Sequence, residues 1–284
     1  MSTPIDKMRV LNTMDQLPAF PAVVLKILQA LDDPDACLTV LAQHIEHDAV
    51  VAGRVLSLAN RAGSNSHGGE PVNDVFTAIS LVGLSRVRET AVTISLAGFL
   101  NNMSPAGAME AFWAHSIATA ACGVEVASNT DLDVCIDASL MACLLHDVGQ
   151  LWLQCFEPER LAAALQDAAA RGIEIDVAER EQFGVDHGAI GAWLADAWGL
   201  SRGIVKAIEH HHAPDAALAE PLVAVVHVSE VLANALDLTG LTQGRVTWVS
   251  APCCGLLGLD WGPDSQSLFG RIEARGRQAL SLLA

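Results

Sequence analysis

The chain has 284 residues, of which 51% are hydrophobic and 17% charged, and this composition excludes a disordered chain and a coiled coil. Its formal net charge is −17, without the basic face that nucleic-acid binding requires, so we expect no nucleic-acid partner. No apolar run approaches the roughly 20 residues of a membrane span, and the first residues lack the pattern of a secretory signal. We therefore expect a cytoplasmic protein without membrane contact.

The hydrophobic spacing of the first hundred residues is helical. Capping residues and glycines divide this half into predicted helices, which are 21–31, 41–50, 50–63, 74–81 and 85–100. A loop is predicted between them at 64–72, where Gly68, Gly69 and Pro71 occur.

The second half contains longer helical patterns and no alternating strand pattern. Its predicted helices are 111–127, 136–154, 157–171, a stretch that ends at Gly199, 201–212, 219–236 and 265–283. The sequence therefore predicts an all-α chain of two helical subdomains, an N-terminal bundle at 1–108 packed on a second helical bundle at 109–284.

Several ionisable side chains share apolar helix faces in this second half. They are His115, His146, Asp147, His187 and His211. Metal sites in helical bundles are formed by side chains that point inward from several helices. Nitrogen and oxygen ligands of this kind suit first-row divalent ions. A single histidine on an apolar face is more often a hydrogen-bonded core residue, so that alternative stays open for each of them. In the run 210–212, only one or two of the three histidines can face inward.

Other catalytic templates are missing from the sequence. It has no GxSxG motif, phosphate-binding loop or dinucleotide fingerprint, and no CxxC pair to begin a zinc ribbon. Any phosphoester chemistry would therefore have to run through a metal ion.

An ordered series of motifs resembles the HDOD family, an output-domain branch of the HD superfamily. In the first half these motifs are LPAFPAVVLKILQALDDPDA, LAQHIEHDAVVAGRVLSLAN and AISLVGLSRVRETAV. In the second half they are LLHDVGQL, FGVDHGAIGAWLADAWGLSRGIVKAIEHHHAP and VAVVHVSEVLANAL. The resemblance covers about residues 13–236 and implies an HD-like bundle at 109–284. It also implies a regulatory role, because HDOD proteins are signalling modules, often fused to response-regulator receivers, that share their fold with metal-dependent HD phosphohydrolases and HD-GYP phosphodiesterases.

The resemblance extends the set of metal-ligand candidates. The full set is His115, His146, Asp147, His187, His211, His212 and Glu230. Two departures from the enzymes of the superfamily argue against catalytic activity. Glu230 falls where those enzymes carry an aspartate, and Gln150 falls where active HD-GYP enzymes carry a lysine.

Two functions remain open. The first is a signal-transduction output module with regulatory protein partners, a divalent ion (Fe, Mn, Zn, Ni or Mg) and little or no turnover. The alternative is a metal-dependent phosphohydrolase acting on a phosphodiester or nucleotide. In it, Arg202 and Lys206 are the candidates for binding the phosphorylated small molecule. The two departures favour the first function, so we do not expect an enzyme.

Overall fold

A computed structural model of the chain describes residues 4–17, 42, 45–46, 49–63, 72–83, 86–87, 90–91, 107–239, 248–262 and 265–280. Within these residues the regular elements are all helices, which confirms the predicted all-α class. The α-helices are α1 (Lys7–Thr13), α2 (Ala49–Gly63), α3 (Val75–Val82), α4 (Gly107–Ser128), α5 (Ile136–Leu145), α6 (Val148–Phe156), α7 (Pro158–Arg171), α8 (Ile175–Phe183), α9 (His187–Ala197), α10 (Arg202–His210), α11 (Pro221–Ala235), α12 (Ala251–Leu256) and α13 (Ser265–Leu280). None of these helices is long and apolar enough to cross a membrane.

The chain divides into two compact units. The large unit comprises Met1–Ala19 and Ala111–Arg277, and the small unit comprises Phe20–Glu110 and Gln278–Ala284. The predicted division at residue 108 does not anticipate that the first residues of the chain group with the large unit.

The small unit is described mainly through α2 and α3, which pack against each other. The Asp74 carboxylate caps α3 by accepting a hydrogen bond from the backbone N–H of Thr77 at 2.7 Å, and the helix ends at Gly83, as the sequence predicts. The predicted helices at 21–31, 41–50 and 85–100 and the predicted loop at 64–72 lie wholly or largely outside the described residues.

The first helix of the chain packs on the large unit. The backbone N–H of Ile5 donates to the carbonyl of Phe183 at 2.9 Å, and the indole N–H of Trp152 donates to the Thr13 hydroxyl at 3.0 Å. These bonds tie α1 to α6 and to the end of α8, so sequence-distant elements of the large unit are held together.

The predicted continuous helix at 136–154 is wrong in one respect, because the chain breaks it at His146 and Asp147. Asp147 has φ −97° and ψ 14°, which separates α5 from α6. Both halves are largely buried, so the apolar pattern continues through the break and gives no sign of it. The interruption directs two adjacent polar side chains into the interior of the unit.

Glycines allow α6, α9 and α10 to approach closely. A Cβ atom at Gly149 of α6 would lie only 1.9 Å from the carbonyl oxygen of His187 on α9. A Cβ at Gly191 would lie 2.8 Å from the Ile208 side chain on α10, and one at Gly188 would lie 3.0 Å from the Glu209 carbonyl. A side chain at position 149 is therefore excluded by backbone, and side chains at positions 188 and 191 would force neighbouring atoms to move.

We expect Gly149→Ala to destabilise the protein by about 1–3 kcal/mol or more, because the added methyl group overlaps backbone that cannot rotate away. Gly270→Ala is the matched control, since that exposed glycine also lies inside a helix and has no atom within 4 Å of the added carbon. The control should stabilise by about 0.5–1 kcal/mol. Urea unfolding followed by circular dichroism measures both, and equal midpoints for the two variants would refute the close-packing argument.

Candidate metal centre

All seven ligand candidates from the sequence lie in the large unit, where they form two groups. Within each group, one nitrogen or oxygen atom per residue lies within 4.8 Å of the corresponding atoms of the others. The first group, called the three-imidazole group below, consists of Asp147, His187, His211 and His212. The second, called the Glu230 group, consists of His115, His146 and Glu230.

The Asp147 carboxylate lies between the two groups. Its Oδ1 atom is 3.2 Å from Nε2 of His187 and 3.6 Å from Nε2 of His211. Its Oδ2 atom is 3.3 Å from Nε2 of His146 and 3.7 Å from Nε2 of His115. Each carboxylate oxygen therefore faces a different group, which is the arrangement of a carboxylate shared by two cations.

The imidazole nitrogens of the three-imidazole group converge on one point. Nε2 of His187 lies 3.1 Å from Nε2 of His211 and 3.0 Å from Nε2 of His212. Two nitrogens that bind one ion at 2.0–2.1 Å and at a right angle to each other would be about 3.0 Å apart. The spacing of these nitrogens thus fits a shared metal ion.

Hydrogen bonds at the far side of two of these rings fix their orientation. Nδ1 of His187 lies 2.6 Å from Glu179 Oε2, and Nδ1 of His211 lies 2.8 Å from the carbonyl oxygen of Ile208. Because a carbonyl oxygen only accepts, Nδ1 of His211 donates this hydrogen bond, and Nε2 is the ring nitrogen that faces the cluster. Such partners behind a ligand are typical of metal-binding histidines.

His146 has the same arrangement in the Glu230 group. Its Nδ1 donates to the Cys143 carbonyl at 2.7 Å, while its buried Nε2 makes no hydrogen bond within the described residues. Burial lowers the pKa of His146 to about 3, so the ring is neutral at pH 7 and its lone pair is available to a cation. Glu230 reaches the same group despite having one methylene more than aspartate.

The charges in the cluster also favour a cation. Burial by itself would raise the pKa of Asp147, but the imidazoles of His146, His187 and His211 lower it well below its usual range, so the carboxylate stays ionised. Burial opposes a charge on His187, yet the Glu179 and Asp147 carboxylates raise its pKa well above the ordinary value. Without a metal, a proton on His187 offsets these carboxylates, and a divalent ion would take its place.

The structure does not bring Arg202 and Lys206 to this cluster. Lys206 donates to the Glu209 carboxylate at 3.1 Å, and Arg202 is exposed. Helical spacing explains the difference, because positions 202 and 206 lie on the face of α10 opposite the buried Ile204 and Ile208. Their predicted contact with phosphate therefore has no support from the geometry.

Glu179 lies behind His187 and is not among the site residues predicted from the sequence. This carboxylate is fully buried, and its Oε2 atom accepts from both the backbone N–H and Nδ1 of His187, at 2.8 and 2.6 Å. The available signal was weak, since Glu179 lies four residues before the buried Phe183 and thus on the same face of α8. Other acidic residues in this polar helix hide that signal.

Comparisons with known proteins agree with this architecture. A curated relative in Treponema pallidum, described as uncharacterized, is 26% identical over 232 residues, which are 80% of this chain and 44% of that protein. The chain thus spans less than half the length of that relative. An HDOD domain protein of unknown function from Geobacter sulfurreducens has a TM-score of 0.71 at 24% identity, over 96% of this chain and 97% of that one.

Two further solved structures share the fold. One, from Shewanella amazonensis, is provisionally named a phosphohydrolase and has a TM-score of 0.69 at 24% identity, over 97% of this chain and 98% of that one. The other, from Marinobacter aquaeolei, is provisionally named a signal transduction protein and has a TM-score of 0.66 at 21% identity, over 96% of this chain and 59% of that one. The HDOD domain model itself matches residues 17–214. With most of its length matched in this way, the chain belongs to the HDOD family.

Proposed function

We propose that the chain is a cytoplasmic signal-transduction module that binds two divalent metal ions and acts on regulatory protein partners with little or no turnover. The observation that carries the proposal is the position of Asp147, with one carboxylate oxygen facing each group of ligand candidates. The HDOD family and the provisional name of the Marinobacter aquaeolei structure support the signalling role.

The two groups divide the ligands between two ions. His187, His211 and His212 would hold one ion together with Oδ1 of Asp147. The Glu230 group would hold the other together with Oδ2 of Asp147. A donor set with five imidazoles suits Fe, Mn, Zn or Ni better than Mg, which prefers oxygen ligands.

The surroundings of the cluster favour a module over an enzyme. A phosphodiester carries negative charge, and enzymes that cleave it commonly bind the phosphate with cationic side chains as well as with metal ions. Here Lys206 is paired with Glu209 on the outer face of α10, and Gln150 lies three residues after Asp147, where active HD-GYP enzymes carry a lysine. Neither position 150 nor position 206 therefore places a cationic side chain beside the cluster to hold a substrate phosphate.

A metal-dependent phosphohydrolase is the second candidate, and one observation favours it. The His115 side chain is 21% exposed and that of Asp147 is 9% exposed, so the Glu230 group is not sealed from solvent. Divalent ions bound there would supply Lewis acidity and lower the pKa of water. The provisional name of the Shewanella amazonensis structure agrees with this alternative.

Two neighbouring histidines provide a matched test of the metal sites. We expect metal-replete wild-type protein to hold two equivalents of divalent ion, and His212→Ala to hold fewer because it removes a ligand. His210→Ala should keep both equivalents, since His210 faces Lys206 and Glu209 instead of the cluster. Elemental analysis by mass spectrometry measures the content after equilibrium dialysis against a saturating concentration of the ion, with the free ion of the outer buffer subtracted. Equal metal loss in the two variants would contradict the assignment.

Hydrolysis of bis(p-nitrophenyl) phosphate separates the two candidate functions. For a module we expect metal-loaded wild-type protein to be no faster than Asp147→Ala, although the variant loses metal. A wild-type rate more than about 100-fold above that of the variant, and abolished by a chelator, would establish the phosphohydrolase instead.

A further inference from the structure

The two proposed metal positions differ in how deeply their ligands are buried. In the three-imidazole group, His187 and His211 are fully buried and only His212 is half-buried. In the Glu230 group only His146 is fully buried, whereas His115 is 21% exposed and Glu230 is half-buried. Water therefore competes for the ligands of the Glu230 group more readily than for those of the three-imidazole group.

The two positions also differ in how firmly the surrounding protein holds the ligands. The Glu179 carboxylate fixes His187 through hydrogen bonds to both its ring and its backbone N–H. The backbone carbonyl of His211 accepts from Nδ1 of the buried His227 at 2.8 Å, and Nε2 of His227 accepts from the backbone N–H of Ser250 at 3.1 Å. The three-imidazole group is therefore backed by a buried hydrogen-bonded network that reaches α12.

Ordering the Glu230 group costs more conformational entropy. A glutamate has three side-chain torsions to fix on binding, whereas an imidazole has two. Hydrogen bonds already hold the rings of His187 and His211, and that of His146 in the Glu230 group, so the flexible glutamate makes the difference. A preorganised ligand set binds more tightly than an equivalent flexible one, because the flexible set loses freedom on binding.

We infer that the three-imidazole position binds its ion first and tightly, whereas the Glu230 position fills only at higher metal concentration and exchanges its ion. The inference rests on the proposed function, because it assumes two metal ions. Its consequence is that the Glu230 position is the variable element of the module: its occupancy follows the supply of divalent metal. The charge beside Oδ2 of Asp147 then changes while the three-imidazole position stays filled.

Stepwise addition of Co²⁺ to the metal-free 284-residue chain tests the order of binding. Calorimetry measures the affinities, and elemental analysis after equilibrium dialysis at each metal concentration measures the bound metal. We expect two binding steps whose dissociation constants differ at least about tenfold. Glu230→Gln should remove the weaker step and leave the tighter one unchanged.

Glu179→Gln tests the role of the buried carboxylate behind His187. We expect it to weaken the tighter step about 10–100-fold and to leave the weaker step in place. Glu181→Gln is the matched control, because Glu181 belongs to the same helix but is exposed and pairs with Arg171. It should change neither step. If circular dichroism shows Glu179→Gln unfolded, the Glu230→Gln result decides the order of binding.

Three results would overturn the inference. Two steps of equal affinity would show that burial and support make no difference. Loss of the tighter step in Glu230→Gln would show that the first ion binds in the Glu230 group. Binding of less than one equivalent by the wild-type protein would refute the proposed function itself, and the inference with it.

Discussion

The close approach of α6 and α9 is the constraint on which the whole cluster depends. Asp147 immediately precedes α6 and His187 begins α9, and the 3.2 Å between Oδ1 and Nε2 leaves little tolerance. Only glycine at position 149 permits this spacing, since a Cβ there would overlap the carbonyl oxygen of His187. Protein interiors are packed too densely to absorb such an overlap without moving helices. Backbone packing thus sets the distances on which metal binding relies.

The same packing creates an electrostatic problem that a metal ion would solve. Burying ionisable groups is costly unless each is paired, and here several imidazoles and carboxylates share one interior space. The Nδ1 atoms that point away from the cluster have hydrogen-bond partners: that of His146 donates to a backbone carbonyl, and that of His187 bonds to Glu179. The Nε2 atoms of these rings and the Asp147 carboxylate oxygens face one another, and a cation would be a common partner for them. Stability is thereby given up locally for a binding site, as is usual at functional positions.

Local spacing in the sequence was enough to predict the all-α class and the capped helix α3, because both depend on residues near in sequence. Spacing also suggested five of the seven ligand candidates, whereas His212 and Glu230 came from the resemblance to the HDOD family. The break at His146 and Asp147 was missed, since the halves it separates are both buried and the apolar pattern runs through it. The role of Glu179 depends on how α8 packs beside α9, which spacing along the chain does not encode. The structure places Arg202 and Lys206 away from the cluster, and helical spacing alone sets them opposite the buried face of α10.

The central claim is that two metal ions share Asp147 between the three-imidazole group and the Glu230 group. Anomalous diffraction from crystals grown with Mn²⁺ tests it most directly, since it locates each ion independently of its ligands. The account predicts two peaks about 3.5–4 Å apart, one on each side of the Asp147 carboxylate. Crystals of the metal-saturated protein with no anomalous peak among these seven side chains would contradict it.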